Sequence, residues 1–205
     1  MKLRPVVEER SLLARAVEAG RHVAFANAYP RSWPGPGGSR RIAAPPLAAR
    51  AAGLLTRHEE ALGAGDAVSS EIVNDGWRRH LGHDWLPHVS PGEAGANLAA
   101  IARSHDLTLY AHYATDTAGH EGSMLPAVKA LERVDGFLAG LLEELDDDTL
   151  LFVTSDHGNI EDVRTGHTLN PALGLARGPG AGDASDLRDI REVTPFLLER
   201  LGITP

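Results

Sequence analysis

Cysteine is absent from all 205 residues of the chain. Its absence excludes disulfide bonds, thiolate metal ligands and a cysteine nucleophile, so any bound metal must be held by imidazole and carboxylate groups. Positive charge is also scarce, since 20 Lys and Arg residues stand against 28 Asp and Glu, for a formal net charge of -8. Because nucleic-acid binding needs a basic surface, this balance argues against a nucleic-acid partner.

Hydrophobic runs long enough to span a bilayer are absent as well. Pro5, Glu8 and Glu9 interrupt the start of the chain, where we expect no leader-like apolar segment. We therefore expect a cytoplasmic protein without a membrane partner. With 42% hydrophobic residues the chain is able to bury one core, which predicts a single domain.

Apolar periodicity in the first half predicts helices that alternate with strands. Residues 8–19 have helical spacing that ends at Gly20, and the short strand RHVAFAN follows. The stretch SPGE at 90–93 has the serine, proline and glutamate of a capping box, which predicts a helix to about Ser104. The predicted strand DLTLYAHY comes directly after that helix.

The second half continues the alternation. A long amphipathic helix against the core is predicted from apolar residues spaced by three or four, at Leu125, Val128, Leu131, Val134, Leu138, Leu141 and Leu145. The continuous apolar run TLLFVT at 149–154 is typical of a strand buried on both faces. With a short strand at 171–176 and a closing helix at 186–202, the order predicts an α/β layered fold with a largely parallel sheet.

The region between these halves is rich in loop formers. Residues 28–46 hold five prolines and three glycines, which predicts a loop or the edge of a lid. Arg40 and Arg41 in this loop could meet an anionic substrate, although solvated loop charges explain them more simply. An Ala-rich helix is predicted from Leu47 to Leu62.

Two predicted strand ends carry titratable side chains. DLTLYAHY leads into Asp116 and His120, whose spacing lets both side chains converge on one ion if the loop is helical. TLLFVT leads into Asp156 and His157, and His167 returns on the following loop. Ligands of α/β sheets bind beyond the carboxyl ends of the strands. Three imidazoles and two carboxylates suit a dinuclear zinc or manganese centre better than calcium, which prefers oxygen ligands.

Each of these residues also has a simpler explanation when it is taken alone. Asp116 is a turn former, Asp156 could cap a helix, and the chain has ten histidines, most of which must be structural or solvated. Composition gives no reason for such loops to follow the two clearest strands. The joint arrangement therefore favours a metal site over turns alone.

Several stretches together resemble the alkaline phosphatase superfamily, and within it the branch of cofactor-independent phosphoglycerate mutases and phosphopentomutases. They are TDTAGH at 115–120, ALERVDGFLAGLLEEL, VTSDHGNIED at 153–162, GHTLNP at 166–171 and DLRDIREVTPFLLERLGI. The resemblance covers roughly residues 106–203 and is to the C-terminal portion of that group.

This resemblance implies an alkaline phosphatase-like α/β/α sandwich that binds two divalent metal ions, zinc or manganese. Carried over by position, it implies two sets of ligands: Asp116, His120 and His167 for one ion, and Asp156 and His157 for the second. Asn159 and Thr168 would support these ligands from just outside the centre. The implied activity is metal-dependent phosphoryl transfer on a phosphorylated small molecule, by a phosphohydrolase or a phosphomutase-like enzyme.

The front of the chain departs from the pattern of that superfamily. There, a further metal-binding Asp comes from an opening strand of the form apolar-Asp-Gly, and a Ser or Thr nucleophile lies shortly downstream. In this sequence Asp75 has no apolar strand before it, and Ser69 and Ser70 lie in no recognisable nucleophile turn. No catalytic nucleophile is therefore identified.

We accordingly expect residues 1–205 to form one N-terminally incomplete domain of this type, with residues 28–90 as a variable lid-like segment. Catalysis by such a chain would be impaired. The alternative is a non-catalytic metal-binding or interaction module derived from the same fold.

Overall fold

A computed structural model describes residues 3–35, 38 and 42–204 of the chain. Arg40 and Arg41 lie outside the described residues. Within these ranges the helices and strands follow in the order α1 (Arg4–Arg10), α2 (Leu12–Glu18), β1 (Val23–Phe25), α3 (Ala44–Ala51), α4 (Glu59–Ala64), α5 (Asp75–Leu81), α6 (Pro91–Ala102), β2 (Leu107–Leu109), α7 (Ala114–His120), α8 (Met124–Glu144), β3 (Leu151–Thr154), β4 (Gly174–Arg177) and α9 (Val193–Arg200).

The described strands form two small sheets. β1 pairs in parallel with β2, with Ala24 opposite Thr108, and a parallel bridge joins Asn27, just after β1, to Val68. β3 pairs antiparallel with β4, with Phe152 opposite Ala176. This mixture of helices and strands is consistent with the predicted α/β class. The layered sandwich with one largely parallel sheet stays a prediction.

The largest core cluster lies where α6 and α8 pack together beside β1. The predicted capping box at the start of α6 is present, since the Ser90 hydroxyl accepts from the Glu93 amide at 3.2 Å and the Glu93 carboxylate accepts from the Ser90 amide at 2.8 Å. This cap fixes where α6 begins and therefore which face it turns to α8. Nowhere in the described ranges is a helix both long enough and apolar enough to cross a membrane.

The predicted helix α8 is confirmed, but its predicted core face is wrong over the first half. Leu125, Val128 and Leu131 are exposed by 64%, 42% and 47%. Each step of three residues falls about 60° short of a full helical turn, so this run drifts around the helix and away from the core. Smaller and more distal residues face the core instead, namely Ala127, Ala130, Phe137 and Leu141.

Two other predictions are corrected by the structure. The predicted helix from Leu47 to Leu62 is broken, because Gly53 adopts a left-handed φ of 72° and Leu54 donates to the Ala49 carbonyl at 2.8 Å, which ends α3. β3 is only half-buried, and Thr154 is exposed. Among the described strands β3 pairs with β4 alone, so its faces are not covered as those of a central strand would be.

Glycines set the close crossing of α6 and α8. A Cβ on Gly95 would overlap the Phe137 carbonyl and the Leu141 amide of α8. These are backbone groups, and they cannot move without displacing the helix. We expect Gly95→Ala to lower the free energy of unfolding by about 1–3 kcal/mol through overpacking, as measured by urea denaturation.

The matched control is Gly92→Ala in the same helix, where a Cβ would meet only the Gly136 carbonyl at 3.8 Å. Because alanine is the better helix former, we expect this variant to be neutral or more stable by up to about 1 kcal/mol. Equal destabilisation by both substitutions would contradict the inference that backbone atoms of α8 leave no room for a side chain at Gly95.

Candidate metal centre

Helix α7 begins just after β2 and presents Asp116 and His120 one turn apart. Residues four positions apart lie on the same face of a helix, so both side chains point to one side of α7. The carboxylate Oδ1 of Asp116 lies 3.5 Å from Nε2 of His120. The helical loop that the sequence spacing required is therefore present.

The loop after β3 carries the remaining predicted ligands back to α7. Gly158 and Thr168 form an antiparallel bridge, in which the Thr168 amide donates to the Gly158 carbonyl at 2.9 Å. This bridge closes the loop and returns His167 to a position beside His157, with ring centroids 3.8 Å apart. Residues that are distant in the sequence are thus brought to one place by local pairing.

Among the described residues, Asp116, His120 and His167 form the one group of three such side chains whose ligand atoms lie within 4.8 Å of one another. The Nε2 atoms of His120 and His167 are 3.1 Å apart, and Nε2 of His167 lies 3.4 Å from Oδ1 of Asp116. Bonds of about 2.0–2.1 Å in a tetrahedral zinc site separate neighbouring ligand atoms by about 3.3 Å. The three donors therefore fit one small divalent cation.

Asp156 and His157 lie at the edge of this group. His157 Nε2 is 3.6 Å from Oδ1 of Asp156 and 3.9 Å from Oδ1 of Asp116. The His157 Nδ1 faces the Gly158 carbonyl at 3.3 Å, and because a carbonyl only accepts, Nδ1 carries the proton. In the neutral ring this leaves Nε2 as the available ligand atom. The Asp156 side chain is 76% exposed.

Asn159 connects the two halves of the site. Its Nδ2 donates to Oδ1 of Asp116 at 2.9 Å, and the residue is 95% removed from solvent, with an exposure of 5%. Its amide oxygen lies against Gly119 of α7, where any Cβ would overlap it. Asn159 thus makes a direct contact with a predicted ligand, which is compatible with its predicted supporting role. The described contacts of Thr168 are to Glu161 and to the loop backbone, and none of them is to a predicted ligand.

The model of the Metalloenzyme superfamily matches residues 89–189 of the chain. Within this segment the chain is similar to the Metalloenzyme superfamily. The resemblance to alkaline phosphatase-like metalloenzymes is thereby confirmed, and the matched segment contains all five predicted metal ligands. Which residues bind metal in this chain stays a prediction.

Curated relatives carry the name 2,3-bisphosphoglycerate-independent phosphoglycerate mutase. The protein of Halobacterium salinarum is 35% identical over 59% of this chain and 26% of its own length. The protein of Chloroflexus aggregans is 37% identical over 60% of this chain and 26% of its own length. The chain thus spans about a quarter of the length of the curated relatives it matches. A comparison with solved structures found no match.

Asp75 and Ser69 lie before the Metalloenzyme match, and in the described part of the chain neither contacts a predicted metal ligand. The Asp75 carboxylate lies near Arg79 at 3.3 Å and His88 at 3.7 Å, in helix α5 and the loop after it. Ser69 is buried, and its hydroxyl accepts from the Glu71 amide at 3.3 Å. Neither residue is placed as a ligand or a nucleophile.

Glu161 is a site residue that sequence reasoning missed. One of its carboxylate oxygens accepts from the Thr168 hydroxyl and, at 3.1 Å, from the side-chain amide of Asn170. The other oxygen accepts from the backbone amide of Asn159 at 2.7 Å. These bonds connect the two sides of the loop that carries His167. A glutamate two residues after a Gly-Asn turn was the available signal, although it has no spacing relation to the ligands.

Hydrogen bonds to its carboxylate lower the pKa of Glu161 from 4.5 to about 2, and the largest effect comes from the bond donated by Thr168. A lowered folded-state pKa means that the carboxylate stabilises the loop fully above about pH 4.5, and that this stabilisation is lost as the pH falls toward 2. We expect Glu161→Gln to lower the protection factors of the Asn159 and Thr168 amides at neutral pH and to remove the fall in protection that the unsubstituted chain shows below about pH 4.5.

Mass-spectrometric or NMR exchange measurements between pH 7 and pH 3 would show this change. The control is Glu132→Gln on the exposed side of α8, which removes the same charge away from the loop. Exchange in the loop that is equal in both variants would contradict the clamp assigned to Glu161.

Proposed function

We propose that this chain carries the metal centre of a metal-dependent phosphoryl-transfer enzyme. The observation that carries the proposal is the convergence of Asp116, His120 and His167, whose ligand atoms all lie within 4.8 Å of one another. The match of residues 89–189 to the Metalloenzyme superfamily supports divalent metal use. Zinc and manganese suit this set of two imidazoles and one carboxylate.

In this proposal a second ion is held by Asp156 and His157, next to the first. His157 Nε2 lies within 3.9 Å of the Asp116 carboxylate, so the two sets of ligands are neighbours. Two residues are fewer ligands than a divalent ion takes, and further ligands would complete this second set. When bound, a pair of divalent ions activates a hydroxyl nucleophile and neutralises phosphate oxygens.

The residues of the chain would orient this centre before any substrate arrives. Asn159 holds the Asp116 carboxylate through a 2.9 Å hydrogen bond, so the carboxylate cannot rotate freely. The Gly158 carbonyl fixes the proton of His157 on Nδ1 and directs Nε2 to the centre. Glu161 fixes the loop that returns His167.

A phosphorylated small molecule is the proposed substrate, because the curated relatives are named as phosphoglycerate mutases. We also propose an alkaline phosphatase-like sandwich for the whole domain, with residues 28–90 as its variable segment. Part of that segment, with Leu62, Trp77 and Leu86, packs into a cluster apart from the main core. The segment also supplies Val68, Ile72 and Val73 to the main core, so it is joined to the rest of the domain.

A non-catalytic metal-binding module is the second candidate. It is favoured by the burial of Ser69, which is 1% exposed, since a nucleophile needs access to substrate. The two candidates predict the same metal binding and differ in turnover. Hydrolysis of p-nitrophenyl phosphate with added manganese or zinc would favour the enzyme, and bound ions without turnover would favour the module.

The metal proposal predicts that Asp116→Ala or His167→Ala removes one bound ion and leaves the fold intact. Each substitution removes one of three ligands, and we expect the affinity for that ion to fall by more than about 100-fold. Elemental analysis after loading with zinc or manganese and dialysis would count the ions, and circular dichroism would monitor the fold.

His80→Ala serves as the control, because this exposed histidine lies on α5 and the structure places it outside the metal group. We expect its ion content to equal that of the unsubstituted chain. Failure of the unsubstituted chain to retain either metal would refute the proposal.

Asn159→Ala should weaken the ion at Asp116 by about 10–100-fold without removing a ligand, because Asp116 would lose the partner that orients it. Calorimetric titration with zinc or manganese measures the affinity. Asn74→Ala is the matched control, since Asn74 is equally buried and donates to the Pro87 carbonyl far from the ligands in sequence. Equal metal affinity in both variants would count against the orienting role.

A further inference from the structure

A cleft of about 410 Å³ lies beside α7, on the side away from the predicted metal ligands. At about 100° per residue, Asp116 and His120 share one face of α7, while Ala114 and Ala118 of the cleft wall lie about 120–160° around the helix from both of them. The other walls come from α8 and from the turn that contains Ser70. The cleft and the candidate metal centre are therefore two different sites that share one helix.

Two cationic side chains line this cleft from α8. Lys129 and Arg133 are four residues apart and so lie on the same face of that helix. In the described part of the chain, no carboxylate forms an ion pair with either of them within 4.0 Å. Arg133 donates one bond, from Nη1 to the Glu71 carbonyl at 3.4 Å, which leaves most of its guanidinium donors available.

The acidic residues of the cleft do not neutralise these cations. The Glu71 carboxylate is directed at Gly76 in the first turn of α5, where a Cβ on Gly76 would overlap it. Glu121 is exposed at the other end of the lining, near the end of α7. Ser70 is half-buried in the wall, and its hydroxyl adds a hydrogen-bond donor to the lining.

We propose that this cleft binds an oxyanion, either the phosphate or the carboxylate group of a small molecule, through Arg133, Lys129 and Ser70. A guanidinium presents paired N–H donors that match two oxygens of either group, and an ammonium adds a point charge. The inference is independent of the proposed function, because none of the three residues is a predicted metal ligand.

Anion binding is tested on the full chain after treatment with a chelator and dialysis, so that no metal ion contributes. Inorganic phosphate and acetate are titrated separately by calorimetry. We expect at least one of them to bind, and Arg133→Gln and Lys129→Gln each to weaken that binding by about tenfold or more, because each removes a charge-assisted hydrogen bond. Arg133→Lys keeps the charge but loses the paired donors, and we expect an intermediate loss.

Arg50→Gln is the matched control, since it removes the same charge from an exposed position on α3. Binding of phosphate alone would assign the cleft to tetrahedral anions, and binding of acetate would assign it to carboxylates. Absence of binding by either anion, or equal weakening by Arg50→Gln and Arg133→Gln, would overturn the proposal. Loss of metal binding in the separate experiments above would leave this result unaffected.

Discussion

The contact between Asn159 and helix α7 is the constraint on which the site depends. Asp116 and His120 follow β2 in one sheet, whereas His157 and His167 follow β3 in the other, and the described strands of these two sheets do not pair. Asn159 joins the two by its hydrogen bond to Asp116 and by packing on Gly119. Gly119 has no side chain, and only for this reason does the amide reach the helix backbone.

At this junction imidazole nitrogens from separate parts of the chain face each other and the Asp116 carboxylate. The Nε2 atoms of His120 and His167 face each other at 3.1 Å, and they can form a hydrogen bond only when one of them carries the proton. A divalent cation satisfies both lone pairs and the Asp116 carboxylate at once. His120 on α7 and His157 and His167 on the loop after β3 are thus held around one carboxylate, and Glu161 and the Gly158–Thr168 bridge hold that loop closed.

Two predictions from local sequence signals, both of which concern helix ends, agree with the structure. The capping box at Ser90 and the terminating glycine after α2 depend on bonds within a few residues, and both are found. Predictions of burial were less successful, as at Leu125 and in β3. Burial depends on which other elements cover a face, and a pattern of spacing within one segment does not contain that information.

The sequence by itself determined the chemical possibilities of this protein. Its lack of cysteine limits metal ligands to imidazole and carboxylate groups, and its motifs identify the Metalloenzyme segment together with the candidate ligands. Only the tertiary structure decided that Asp116, His120 and His167 converge, that Glu161 binds the loop of His167, and that Lys129 and Arg133 line a cleft behind α7. The physical reason is that ligand geometry requires atoms within a few ångströms, and such proximity arises from the crossing of helices and the closing of loops between segments far apart in the chain.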